Sequence, residues 1–300
     1  MTLKTIPDWW GTLEEKRPPQ KSRWQRLKSL LRRFFGLTVI ITIPVVENEF
    51  KFYEYDELLG WRNKPGAVGW HEVEGNRYRV RINQEGMRDS LINRSKKIAL
   101  YGDSFTWGYG LAEEDRFSNI FETLTDWEVL NYGVAGYGTD QMYLALQRQT
   151  QSTEWVIFVC HSGDLVDNQR TVNSDYPKPK FRVRGSQLVL TNVPVPKKSN
   201  WIHRVGDAYE QIAGDNPQEL MLALLDVARE KSRQFALILV PNRWELQNSP
   251  LAFVRDFAAQ KNIPCLDGST ILIAEDFLQE GHLNQAGNRV IAEALRKLLP

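Results

Sequence analysis

Ile98-Ala-Leu-Tyr-Gly-Asp-Ser104 joins a short apolar run to a glycine and two small polar residues. Four comparable apolar runs follow: Trp127-Glu-Val-Leu130, Trp155-Val-Ile-Phe-Val-Cys160, Ala236-Leu-Ile-Leu-Val240 and Ile263-Pro-Cys-Leu266. Segments with helical spacing separate them, near 113–125, 140–149, 217–233, 250–260 and 285–299. Strands that are apolar on both faces and alternate with helices imply a parallel sheet covered on both sides. The expected fold class is α/β, a three-layer α/β/α sandwich around a central parallel sheet. Ligands of such sheets bind beyond the carboxyl ends of the strands, so the residues just after each run are the ones to inspect for chemistry.

Upstream, residues 50–95 contain alternating runs such as Arg77-Tyr-Arg-Val-Arg-Ile82, punctuated by Gly60, Gly66, Gly75 and Gly86. They predict a small β-rich lead-in over 47–95, packed on a main domain at 96–300. Residues 169–216 interrupt the strand–helix alternation and are rich in Pro and Lys. Within them Lys180-Phe-Arg-Val-Arg-Gly-Ser-Gln-Leu-Val-Leu-Thr191 predicts a hairpin turning at Gly185-Ser186, part of an insertion acting as a lid or wall at one edge of the sheet.

The 300 residues are 42% hydrophobic and 25% charged, which excludes disordered, collagenous and polytopic membrane classes. The net charge of +1 gives no support for a nucleic-acid partner. That total conceals a split: residues 1–40 carry nine Lys/Arg against three Asp/Glu, and the other 260 carry 29 against 34. In the arm, residues 1–46, Trp24, Leu27, Leu30, Leu31, Phe34 and Phe35 recur at the spacing of a basic amphipathic helix. The apolar run from Gly36 to Val46 falls well short of the ~20 residues that span a bilayer and is broken by Pro44. Arg32-Arg33 ahead of that run is similar to a twin-arginine signal, but no A-x-A-like site follows. Two readings of the arm stand side by side, a peripheral contact with an anionic membrane and a helix packed on the protein's own core. The expected location is cytoplasmic, with membrane association through the arm. Cys160 and Cys265 sit in apolar contexts that predict core thiols rather than a disulfide.

Four segments follow the predicted strands: Gly102-Asp-Ser-Phe-Thr-Trp-Gly-Tyr-Gly110, the Gly-rich Asn131-Tyr-Gly-Val-Ala-Gly136 and its continuation to Asp140, His161-Ser-Gly-Asp164, and Glu280-Gly-His-Leu-Asn284 near the C-terminus. A serine needs a base to become a nucleophile, and the histidines are His71, His161, His203 and His282. His282 is the best placed, in the loop before a final helix that Asn284 would cap. Glu280 could hold its imidazole in the right tautomer. Ser104, a Gly-rich turn offering N–H groups, and a carboxylate and His at the far end make a full acyl-transfer set on one edge of one sheet. Gly108-Tyr-Gly110 and Gly136-Tyr-Gly138 do not extend to a dinucleotide fingerprint, and Cys160-His161 point to opposite faces of a strand. No cofactor and no metal are expected.

These residues resemble the SGNH (GDSL) hydrolase superfamily, whose flavodoxin-like sandwiches act mainly as esterases, lipases, carbohydrate deacetylases and acyltransferases. The resemblance spans about 96–300, and Gly60-Trp-Arg-Asn-Lys-Pro-Gly66 and Asn83-Gln-Glu-Gly-Met-Arg-Asp89 are also similar to lead-in segments of bacterial members. It implies Ser104 as nucleophile, His282 as base, and Ser104, Gly136 and Gly163 at the oxyanion hole. Trp107, Tyr137, Asp164 and Asn168 are the candidate substrate-binding residues. Two positions depart from the pattern. Gly163 stands where the family's third block carries an oxyanion-binding Asn, a loss of roughly 10²–10³ in rate unless a backbone N–H, Ser162 or Asn168 substitutes. The acid is Glu280, two residues before His282, since Gln279 fills the other usual position; Asp276 is the reserve. Three functions follow: a serine esterase or lipase cleaving a small-molecule, carbohydrate or lipid ester through an acyl-enzyme, an acyltransferase moving the group to a carbohydrate or other hydroxyl, and a non-catalytic binding protein.

Overall fold

The structure, a computed structural model, describes residues 52–174, 176–185, 187–197 and 215–299. The basic arm at 1–46, Ser186 at the expected hairpin turn and His203 lie outside the described residues. The described chain opens with two antiparallel ribbons, β1 (Tyr53–Asp56) with β2 (Gly60–Asn63) and β3 (Val68–Val73) with β4 (Asn76–Arg81). Next come β5 (Lys97–Gly102), α1 (Ser104–Trp107), α2 (Phe117–Leu124), β6 (Glu128–Asn131), α3 (Thr139–Gln147), β7 (Trp155–His161) and α4 (Asp164–Asp167). The insertion adds β8 (Val172–Asn173) paired with β9 (Tyr176–Pro177), and β10 (Lys180–Arg184) paired with β11 (Gln187–Thr191). The chain closes with α5 (Pro217–Lys231), β12 (Phe235–Val240), α6 (Ala252–Gln260), β13 (Cys265–Asp267) and α7 (Gln285–Leu298).

Five strands form one sheet in the order β13-β12-β7-β5-β6, and every pairing in it is parallel. Successive side chains of β5 serve opposite faces, as strand geometry requires. Ile98 and Leu100 pack with Phe117, Ile120 and Phe121 of α2 and Ile291, Ala292 and Leu295 of α7. Ala99 and Tyr101 pack with Met142 of α3, Met221 and Leu225 of α5 and Val254 and Ala258 of α6. The molecule is therefore a three-layer α/β/α sandwich. The strand order reverses between β5 and β7, and the crevice at their carboxyl ends is where a doubly wound sheet binds its ligand.

Local signals explain the helix that closes the site. The Asn284 side chain accepts from Gly287 N at 3.1 Å, capping α7, and Arg296 and Lys297 occupy its last turn, where cations suit the helix terminus. Burying the α7 stripe against α2 and the sheet holds the preceding loop over β5.

The two N-terminal ribbons share a core with the sandwich. Phe52, Tyr53, Trp61, Val80 and Ile82 pack with Trp107, Val134 and Tyr137. Cys160 is buried and Cys265 half-buried, and both are free thiols. Among the described residues no helix is long and apolar enough to cross a membrane.

Candidate active site

The turn from β5 into α1 is built for tightness. A Cβ on Gly102 would lie 2.0 Å from Thr106 Oγ1, so only glycine lets α1 fold back directly on the strand. The Asp103 side chain accepts from Phe105 N at 2.9 Å and caps the turn, which places Ser104 at its first position. Buried Arg88 donates to the carbonyls of Trp107, Gly108 and Leu111 at the far end, with its guanidinium 4.2 Å from the Trp107 ring centre. Asn131 ties the second segment to this turn: its Nδ2 donates to Thr106 O at 2.8 Å and its Oδ1 accepts from Gly133 N at 3.0 Å.

Ser104 and His282, 178 residues apart, meet with Oγ and Nε2 2.7 Å apart. Glu280 folds back so that Oε2 lies 2.7 Å from His282 Nδ1. A carboxylate can only accept, so Nδ1 carries the proton and Nε2 is left to accept from the Ser104 hydroxyl. Asp276 does not reach the imidazole; its Oδ2 accepts from Ile273 N at 2.9 Å. The imidazole is also packed: the Tyr109 ring stacks on it at 4.4 Å and the Phe105 ring lies 4.7 Å away. Ser104 is wholly buried and His282 is 5% exposed, so the Ser104 side chain is out of contact with bulk water in this conformation.

Gly163, the position expected to join the oxyanion hole, spends its N–H locally: it donates to His161 Nδ1 at 3.1 Å. That bond makes His161 Nδ1 an acceptor and Nε2 the protonated nitrogen, which donates to Asn242 Oδ1 at 3.1 Å. Asn242 Nδ2 donates to Ser162 Oγ at 3.0 Å, and Ser162 in turn donates to Glu245 Oε2 at 2.7 Å. Burial holds His161 below the usual imidazole range, in keeping with its neutral form, although Asp103 pulls the other way. Burial pushes the Asp103 carboxyl up, and burial followed by the charge of Asp103 drives Asp164 well above the usual carboxylate range.

Of the residues expected to bind substrate, the structure turns four inward. Trp107 is 1% exposed and packs beside Phe52, Tyr53 and His71, because the N-terminal ribbons cover that side of α1. Tyr137 is equally buried, with its hydroxyl donating to Trp61 O at 2.5 Å. Asp164 accepts from His161 N and Thr139 Oγ1, and Asn168 Oδ1 accepts from Asp140 N, so both serve the internal frame. Gly136 lies in the left-handed region at φ 79°, and its carbonyl accepts from Asn173 Nδ2 of the insertion at 2.9 Å.

Two contributors carry no sequence signal. Glu74, at the tip of the β3–β4 ribbon, accepts from Glu280 N at 3.1 Å across 206 residues. Trp244, in the loop after β12, is 70% exposed and leans on Gly281.

No protein-family model matches the chain, and no curated protein matches it in sequence. Among solved structures it is similar to a member of the lipolytic protein G-D-S-L family from Veillonella parvula DSM 2008, at 17% identity over 68% of this chain and 97% of that one, with a TM-score of 0.44. It is also similar to Axe2, an acetylxylan esterase from Geobacillus stearothermophilus, at 14% identity over 69% and 95%, with a TM-score of 0.43. A third likeness is to the aryl esterase of M. smegmatis, at 15% identity over 68% and 97%, with a TM-score of 0.40.

Proposed function

We propose that the protein is an SGNH-type serine esterase that cleaves a carboxylic ester through an acyl-enzyme on Ser104. The observation that carries this reading is the continuous pair of 2.7 Å contacts, Ser104 Oγ to His282 Nε2 and His282 Nδ1 to Glu280 Oε2. In acylation Ser104 Oγ bonds to the ester carbonyl carbon while His282 takes its proton. The carbonyl oxygen becomes an oxyanion for the N–H groups of Ser104 and Gly136 to hold. As the carbon–alkoxide bond breaks, His282 passes the proton to the departing oxygen, and water then repeats the sequence to release the acid. Glu280 orients the imidazole and stabilises its cation. Gly163 takes no part, because its N–H already serves His161.

Fluorophosphonate labelling of the folded full chain tests the reading. Covalent labelling of wild type and none of Ser104→Ala is expected; labelling of Ser104→Ala at the wild-type rate would refute it. A non-catalytic binding protein predicts no labelling of either. Burial of Ser104 favours transfer to a bound hydroxyl as the second reading, since a bound acceptor replaces water at the site. Faster acyl release on adding a carbohydrate acceptor distinguishes transfer from hydrolysis.

A further inference from the structure

Trp244 is an exposed aromatic next to the proposed chemistry that the mechanism leaves unused. Its indole is held in place despite being 70% exposed. A Cβ on Gly281 would come within 3.2 Å of Trp244 Cη2 and 3.6 Å of Cζ3, so the six-membered end of the ring lies against the backbone between Glu280 and His282. Gly281 has φ 113°, a conformation that suits glycine, and its missing side chain is what admits the ring. The loop is anchored beside the indole: Asn242 bonds to His161 and Ser162, and Glu245 Oε2 accepts from Asn242 N at 3.0 Å and from Ser162. Most of Trp244 is thus open to solvent beside the loop that carries Glu280 and His282.

The direction of proton transfer says which part of a substrate would meet it. His282 receives the proton of Ser104 and delivers it to the alkoxide oxygen, so that oxygen must sit at Nε2. The group it carries then extends over the 280–282 loop, and the acyl group extends away from it. We infer that Trp244 is the stacking platform for a ring on the alcohol side of the ester, a pyranose or an aryl group, whose flat face matches an indole. This rests on the esterase reading above.

The test uses acetyl esters that share one acyl group: phenyl acetate, a monoacetylated methyl xyloside, and ethyl acetate as the ringless control. Trp244→Leu keeps bulk against Gly281 and removes the ring; Trp244→Phe restores a smaller one. For at least one ring ester, Trp244→Leu is expected to lower kcat/KM by about tenfold, mostly through KM, while ethyl acetate stays within about twofold and Trp244→Phe recovers part of the loss. Loss from the phenyl ester alone identifies an aryl platform, and loss from the xyloside alone a sugar platform. Equal loss on all three esters, or none on either ring ester, overturns the inference. A second measurement separates this failure from failure of the esterase reading. In Ser104→Ala, which turns nothing over, saturation-transfer NMR to phenyl xyloside is expected to weaken when Trp244→Leu is added. An undiminished signal overturns the platform whatever the labelling of Ser104 shows.

Discussion

Replacing Glu280 by Gln removes one charge and almost no volume, so its effect isolates what the carboxylate does for His282. At the transition state the imidazole is a cation 2.7 Å from Glu280 Oε2. Charges centred about 4 Å apart attract by about 4 kcal/mol at an effective dielectric constant near 20. The Glu280 side chain is 24% exposed, so water screens part of this. A loss of about 2–4 kcal/mol corresponds to a fall in kcat of about 30- to 1,000-fold. The amide cannot avoid the loss by flipping. With its oxygen toward Nδ1 it keeps the tautomer but places an NH₂ where Glu280 Oε1 is buried and has no partner among the described residues. With its nitrogen there, it opposes the Nδ1 proton and takes the base away from Ser104. Steady-state kinetics on a small acetyl ester measures the effect, with thermal melting confirming the fold. Asp276→Asn is the control: that carboxylate accepts from the Ile273 N–H, which the amide oxygen can still do, so stability and rate should both change little. If Glu280→Gln keeps kcat within about threefold of wild type while Asp276→Asn loses it, the assignment of the acid is wrong.

Two further outcomes follow from neighbouring contacts. Glu74 acts on Glu280 through its backbone N–H, so Glu74→Ala should lower kcat by about twofold to fivefold with KM unchanged, and Glu74→Gln, whose carbonyl oxygen can still accept, should restore it; equal effects of both variants would remove its positioning role. Glu122 is pushed up to about 8, first by burial and then by Asp89, whereas its ordinary value is 4.5. Between those values the folded chain holds a proton that the unfolded chain has released, so raising the pH from about 5 to about 8 weakens the fold. Melting curves should show Tm falling across that window, and falling less in Glu122→Gln, which keeps an acceptor for Val129 N; parallel slopes in the two proteins would refute this source.

The strands were legible because a buried parallel sheet forces apolar side chains onto both faces, and β5, β7 and β12 carry unbroken runs of them. Ser104 could be singled out because it lies just past a strand end, and Glu280 and His282 because they lie just ahead of the final helix; the structure brings the three into contact. Trp107 and Tyr137 misled for a physical reason: proximity to the nucleophile in sequence does not say whether a ring faces the crevice or the ribbons packed behind it. Glu74 and Trp244 were invisible because each reaches the site from a distant loop whose local residues follow no pattern of their own. Gly163 could be seen as a missing side chain, but not that its N–H is held by His161, since that bond depends on the rotamer of a neighbour.

The separation of Ser104 from His282 by 178 residues has a consequence for synthesis. A chain emerging from the ribosome exposes Ser104 long before the histidine exists, and domains begin to order from the N-terminal side first. During that interval the hydroxyl has no base and is as unreactive as any surface alcohol. Acylating power would arrive in one step, when α7 docks on α2 and brings its loop over β5. On the proposed mechanism, reactivity at Ser104 is a timer for the last stage of assembly: in a pulse-chase of newly made protein, a fluorophosphonate is expected to begin marking the chain only once α7 has found its place.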